Sequence, residues 1–238
     1  AVQTPWTEKF INNLDDLISQ PVLTGPLLYS QNNRDKHEKK MLREKLYPEN
    51  SQKKILLHAA TPFGWNYLHP WVNLTHDEYI LHINDLIRAV EKIEGLYLAV
   101  RIRLKSFYGM SLEEIKRLFI SSKCYGIYTE GSFEEYLIAS DLLVSFSSTT
   151  IEEALQNIIP VLQYDPFNRY CHIPAQKLEK NGDSEISPIY YASSFSDLSW
   201  GIKWIANNYL NKKEEDYLDW SDHILEPKID WFDKIINR

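Results

Sequence analysis

Between Lys53 and Tyr164 short apolar runs alternate with stretches of helical period, and this alternation limits the chain to very few folds. Lys54-Ile-Leu-Leu-His58, Gly95 to Leu104, Cys124 to Tyr128, Leu142-Leu-Val144 leading into Phe146, and Pro160 to Tyr164 read as strands. Between them, Glu78 to Ile93 sets Ile80, Ile83, Leu86, Ile87 and Val90 on one helical face. Ser111 to Ile120 and Ser132 to Ala139 each open on a capping box, Ser111 with Glu114 and Ser132 with Glu135. The first half of the 95–104 strand is apolar on both sides, as in a sheet covered on both faces. Strands and helices of these lengths in strict alternation specify right-handed βαβ units. The fold class is α/β, with a parallel sheet and helices on both faces.

The flanks are less regular. Thr7 to Ser19 carries Phe10, Ile11, Leu14, Leu17 and Ile18 at helical spacing, and Pro21 to Leu28 is a short apolar segment broken by Gly25 and Pro26. Arg34 to Leu46 reads as a charged helix with a thin apolar edge (Met41, Leu42, Leu46), ended by Pro48. Past Asp165 regularity weakens until helices near 197–209, 213–220 and 227–236. The chain therefore divides into lead-in helices and linker (1–50), a sheet domain (51–195) and C-terminal helices packing on it (196–238). Trp200, Trp204, Trp220 and Trp231 in that last part fit packing on the sheet or an interaction surface.

Composition excludes several classes. A net charge of −7 without a long basic run argues against nucleic acid as a partner. The two cysteines, Cys124 and Cys171, form no CxxC pair and sit near no metal-type histidine spacing, so no metal is expected. No apolar run approaches the roughly 20 residues that span a bilayer, and no signal-peptide pattern is present. The expected location is cytoplasmic.

Ligands of parallel sheets sit at the carboxyl ends of the strands. At that edge lies Ser147-Ser-Thr-Thr150, four small hydroxyls between an apolar strand and a helix start. Two readings stand. Thr149–Glu152 and Thr150–Glu153 fit alternative capping boxes. The same turn offers backbone N–H groups, hydroxyls and a helix dipole to a diphosphate. Ile151, Ala154, Leu155 and Ile158 mark the buried helix face, so Glu152 and Glu153 flank it, and Glu153 is placed to accept the two hydroxyls of a ribose. Arg101, Arg103 and Lys105 leave the second strand at alternate positions, which puts them on one face, as a solvated strand end or as phosphate contacts. Tyr128-Thr-Glu-Gly131 joins a strand to a helix, and Tyr128 is a candidate base contact. His58, His69 and His76 match no metal pattern and read as surface or packing residues. There is no Walker loop, GxGxxG or Ser/His/Asp set, and no catalytic base is assigned.

Val22-Leu-Thr-Gly25 before a charged helix, Lys53-Lys-Ile-Leu-Leu-His-Ala-Ala-Thr-Pro62, the strand ending in Arg101-Ile-Arg103, Ser147 to Ala154, and Pro160-Val-Leu162 together resemble the C-terminal half of a GT-B glycosyltransferase. The resemblance is to bacterial transferases of surface polysaccharides and teichoic-acid-type polymers, and to UDP-sugar 2-epimerases. It implies a Rossmann-like domain and a nucleotide-sugar donor as substrate. Ser147, Ser148, Thr149 and Thr150 would hold the diphosphate with Arg101 or Arg103, and Glu153 the ribose, without a metal ion. The chain departs from that pattern in having Leu104-Lys105 where a His-Pro pair is common, and Ile158-Ile159 where a glycine usually ends the helix. A second Rossmann-like half, as an N-terminal domain or partner subunit, would bind the acceptor, and the acceptor could bring peripheral membrane contact. One half of a UDP-sugar 2-epimerase, or a non-catalytic nucleotide-binding or assembly module of the same fold, are the alternatives.

Overall fold

The computed structural model describes residues 5–14, 21–25, 36–59, 74–107, 109–169, 173–178, 187–209 and 223. In chain order the elements are α1 (Pro5–Asn12), α2 (Lys36–Leu46), β1 (Lys54–Ala59), α3 (His76–Glu91), β2 (Leu96–Arg101), α4 (Leu112–Leu118), β3 (Tyr125–Tyr128), α5 (Phe133–Ile138), β4 (Leu142–Ser145), α6 (Thr149–Gln156), β5 (Val161–Tyr164), β6 (Gln176–Lys177), β7 (Ile189–Ala192) and α7 (Phe195–Trp204). All seven strands pair in parallel, in the order β3-β2-β1-β4-β5-β7-β6. The reversal of direction between β1 and β4 is the topological switch that places ligand crevices in such sheets.

The predicted α/β architecture is the observed one. Ile55, Leu57, Leu98, Leu143 and Val161 are fully buried at the sheet's centre. Each such side chain contributes roughly 1.5–3 kcal/mol relative to exposure. Strand period two sends Leu56, His58, Leu142, Val144, Leu162 and Tyr164 to one face, where α3 and α7 pack. Ile55, Leu57, Tyr97, Ala99, Leu143 and Ser145 go to the other face. There Tyr97 and Tyr128 meet Tyr47, just past α2, and Tyr136 of α5, with ring centroids 5.3–6.3 Å apart around Tyr47. Gly126 lies beneath this cluster. A Cβ there would run into the Tyr97 hydroxyl.

Asp141, where the chain enters β4, fastens α2 to the sheet. Its carboxylate receives Lys39 at 3.1 Å, Arg43, and the Ile55 amide at 2.8 Å. Lys39 also donates to the Ser140 carbonyl and Arg43 to that of Ala139.

Several local expectations need correction. The second strand stops at Arg101 and a 3₁₀ turn covers Leu104–Phe107, so Arg101, Arg103 and Lys105 do not continue along one strand face. β2 ends where its partner ends, Arg101 being paired with Tyr128. Ser132 makes no side-chain cap bond, whereas Ser111 forms its box with Glu114 as expected. An unforeseen box, Thr75 with Glu78, starts α3. The first helix covers Pro5–Asn12 rather than 7–19, residues 15–20 lying outside the described ones. The strands β6 and β7 fall where no regular element was expected. Near 197–209 the chain forms α7 and a π turn, Ile205–Tyr209, while the helices expected at 213–220 and 227–236 lie outside the described residues. Trp204 packs edge-on against Tyr190 at 5.6 Å, so this tryptophan serves the sheet; Trp220 and Trp231 are outside the described residues.

Candidate functional site

β4 ends in buried Ser145, and after buried Phe146 the chain turns through Ser147 and Ser148 into α6. Leu142–Val144 is apolar because it is the middle of the sheet, so the hydroxyl turn emerges at the carboxyl edge beside the switch point. Ser148, extended at φ −169°, is the N-cap. Its hydroxyl accepts from the Thr150 amide at 3.3 Å, and its carbonyl takes the Ile151 amide at 3.0 Å. Neither expected box, Thr149–Glu152 or Thr150–Glu153, is therefore the cap. The 3.3 Å bond is at the long end of the range, so a stronger acceptor could compete for that amide. The Thr150 hydroxyl is buried without a hydrogen-bond partner, whereas Thr149 is exposed.

Glu153 is half-buried one turn into α6. Burial, reinforced by the nearby Glu134 carboxylate of α5, pushes its pKa up to about 7. Glu134, in the first turn of α5, is thus near Glu153 of α6. A carboxyl in this position can accept a hydroxyl pair when ionised.

Arg101 takes a different employment from the one expected. Its Nη1 donates to the carbonyls of Ile102 (2.8 Å) and Tyr128 (3.2 Å), and its Nη2 to that of Gly131 (3.0 Å). The guanidinium also lies 5.4 Å from the centre of the Tyr136 ring. Arg103, just past β2, is exposed. Tyr128 commits its ring to the tyrosine cluster and its hydroxyl to Tyr97, 2.9 Å away. Burial, with Tyr97 as hydrogen-bond partner, pushes that phenol above its ordinary range.

Sequence reasoning missed Arg169. It follows β5 in Asp165-Pro-Phe-Asn-Arg169, a loop organised by Asp165, whose carboxylate accepts the amides of Phe167 (3.0 Å) and Arg169 (2.5 Å). The guanidinium lies 5.4 Å from the ring of Phe146, the residue before the hydroxyl turn, and bonds Glu78 at 3.2 Å. The signal was an arginine a few residues beyond a central strand, on the carboxyl edge.

His58 is buried in β1, its Nδ1 donating to the Val144 carbonyl of β4 at 2.9 Å. His82 of α3 packs on it with ring centroids 5.0 Å apart. Burial pushes His58 down to about 4, and burial, then His58, pushes His82 well below its usual range. His76 is partly buried against Phe107, and His69 lies outside the described residues. Among the described residues no three His, Cys, Asp or Glu side chains are grouped to hold a metal, and no helix is long and apolar enough to cross a membrane.

No protein-family model and no curated protein sequence matches the chain. Solved structures do. A variant of the wall teichoic acid polymerase TagF superposes with a TM-score of 0.51 at 12% identity, over 91% of this chain and 50% of that one. HepE from Anabaena, solved with UDP and glucose, gives 0.50 at 11% identity, over 87% and 52%. UDP-GlcNAc 2-epimerase from Neisseria meningitidis, bound to UDP-GlcNAc, gives 0.48 at 15% identity, over 83% and 48%. The chain spans about half the length of the solved structures it matches. At these identities the likeness is one of fold: this chain has the Rossmann-like parallel sheet of the GT-B structures it resembles.

Proposed function

We propose that this chain is the donor-binding half of a metal-independent glycosyltransferase of bacterial cell-surface polysaccharide synthesis, and that its substrate is a nucleoside-diphosphate-activated sugar. The observation that carries the reading is the junction of β4 and α6. A hydroxyl turn, a helix start and a half-buried carboxyl follow one another there at the switch point of a parallel sheet. Ser147, Ser148, Thr149 and Thr150 grip the diphosphate, and Glu153 the ribose diol. Arg103 and Arg169 supply positive charge, which with the α6 dipole stabilises the leaving diphosphate electrostatically. The base lies against the β3–α5 loop, which Tyr128 supports from below. The other half, with the acceptor site and the catalytic base, belongs to another domain or subunit. The neighbours described above support the scaffold, and the ligands named for HepE and the epimerase are of the proposed class.

Calorimetry with UDP, CDP and GDP tests the proposal. One of them is expected to bind below millimolar concentration, with the affinity falling in Glu153→Ala and Ser148→Ala. No binding of any at millimolar concentration would overturn the reading. Labelled UDP-sugar incubated with and without acceptor then separates transfer from epimerisation.

A further inference from the structure

We infer that Arg101 is a positioning residue rather than a phosphate ligand: it shapes the β3–α5 loop into the wall against which the nucleobase rests. The inference depends on the donor-site reading above and assigns that site's base-side wall.

The argument starts from what the fork of Arg101 holds. Three carbonyls, those of Ile102, Tyr128 and Gly131, converge on its two terminal nitrogens. Two belong to the ends of neighbouring strands, and the third to the loop between β3 and α5. A lysine presents a single point charge and cannot span such a set, whereas a planar guanidinium can. The fourth attachment is the face of Tyr136 in α5, a contact that also lifts the cation off the solvent. One side chain therefore ties together β2, β3, the loop and the following helix.

The loop needs this tie. Gly131 is left-handed at φ 84°, so its backbone adopts the shape without help from a side chain of its own. Ser132 contributes no side-chain cap bond to α5, only its amide to the Glu135 carboxylate. Among the described contacts, Arg101 supplies the hydrogen bond that fixes the Gly131 carbonyl.

The loop is also in the right place. α5 begins directly after it, and Glu134 in the first turn of α5 lies near enough to Glu153 to add to the rise that burial causes. β3 and β4 lie three strand spacings apart, roughly 14 Å, with β2 and β1 between them. A nucleotide whose ribose sits on Glu153 and whose diphosphate sits on the α6 turn points its base toward residues 129–132. The carbonyls of Tyr128 and Gly131 are already occupied by Arg101, so the groups the loop can turn toward a base are its remaining amides and carbonyls. Arg101 thereby decides which edge of a base the wall accepts.

The test uses the whole chain and two ligands: the tightest-binding nucleoside diphosphate of the calorimetric panel, and ribose 5-phosphate, which has no base. Arg101→Ala is expected to weaken the nucleotide about tenfold, the equivalent of one or two lost hydrogen bonds. Affinity for ribose 5-phosphate should stay within about twofold. Millimolar guanidinium should restore part of the lost affinity, and amide exchange at residues 129–134 should quicken in the unliganded variant. Arg101→Lys, which keeps the charge and fills similar space, should behave like Arg101→Ala and guards against misfolding of the smaller variant. Equal losses for both ligands would make Arg101 a phosphate contact or a general stabiliser, and unchanged nucleotide affinity would remove the role altogether. Failure of the wild-type chain to bind any nucleotide overturns the donor-site reading and this inference together. Nucleotide binding with no effect of Arg101 overturns the inference alone.

Discussion

The carboxyl groups on either side of β4, Asp141 before it and Glu153 in the following α6, are in opposite states. Asp141 is almost enclosed, and burial alone would raise its pKa. Lys39 and Arg43, with the Ile55 amide, more than compensate and hold it below the ordinary aspartate range. In α6, the helix that follows, Glu153 is less buried, yet it is pushed up to about 7, first by burial and then by the Glu134 carboxylate. One strand and the turn into the next helix separate a fully partnered charge from a like-charged pair. Burial raises both carboxyls; the surrounding charges reverse that rise at Asp141 and add to it at Glu153. The first side is arranged for stability. The second carries a repulsive pair and a buried unpartnered hydroxyl at a cost to stability, as sites for ligands commonly do.

The largest way to break this contrast is to remove the anchor. Asp141→Ala should cost about 3–5 kcal/mol, because it strands two partly buried cations; chemical denaturation measures it, and a loss under about 1 kcal/mol would show the anchor to be superficial. Its folded pKa is depressed, so its contribution is full above the ordinary aspartate value and is lost as pH falls from there through the lower folded value.

The second prediction concerns the middle of β4, where His58 bonds Val144. Both buried histidines have depressed pKa values, so their contribution is full above about 6.5 and disappears as pH falls toward 4. Melting followed from pH 7 to 4 should reveal an acid-side loss of roughly 2–3 kcal/mol. His82→Phe should flatten that slope, and an unchanged slope would show that His82 contributes nothing to it.

The third sharpens the contrast at the far end. A raised carboxyl favours the folded state below the unfolded glutamate value of 4.5, and this preference is lost as pH rises through about 7. Glu153→Gln should therefore stabilise the fold by ~1 kcal/mol at pH 8, after discounting for solvent exposure. At pH 4.5 it should be nearly neutral. In the wild type, nucleotide affinity should increase between pH 6 and 8 as Glu153 ionises, and the glutamine variant should lack that rise. The smallest effect is expected from Ser148→Ala, about 1 kcal/mol or less of stability from the lost cap, read by thermal melting. A loss well above that would mean that the serine does more than cap.

Most of the sheet was legible because its central strands are uninterrupted apolar runs separated by capped helices. What escaped was decided by neighbours. Arg101, Arg103 and Lys105 keep a period of two, yet the strand ends at Arg101 because β3 offers no partner beyond Tyr128. β7 is only four residues, Ile189 to Ala192, held between β5 and the two-residue β6. The hydroxyl turn and Glu153 could be found from local pattern, since cap, dipole and helix face are all local. The employment of Arg101 could not, because it depends on carbonyls up to 30 residues away. Arg169 escaped for a similar reason, lying in an irregular stretch whose shape comes from the Asp165 carboxylate.

The tie between Ile55 and Asp141 joins residues 86 apart, and the bonds run both ways, amide to carboxylate and amide to carbonyl. In kinetic terms, the two innermost strands can pair only after the chain closes that long loop, an entropic cost that comes before most of the enthalpy of the sheet is released. The β1–β4 register, fixed at its first rung by one aspartate, is therefore where the folding rate of this chain is most open to a single substitution.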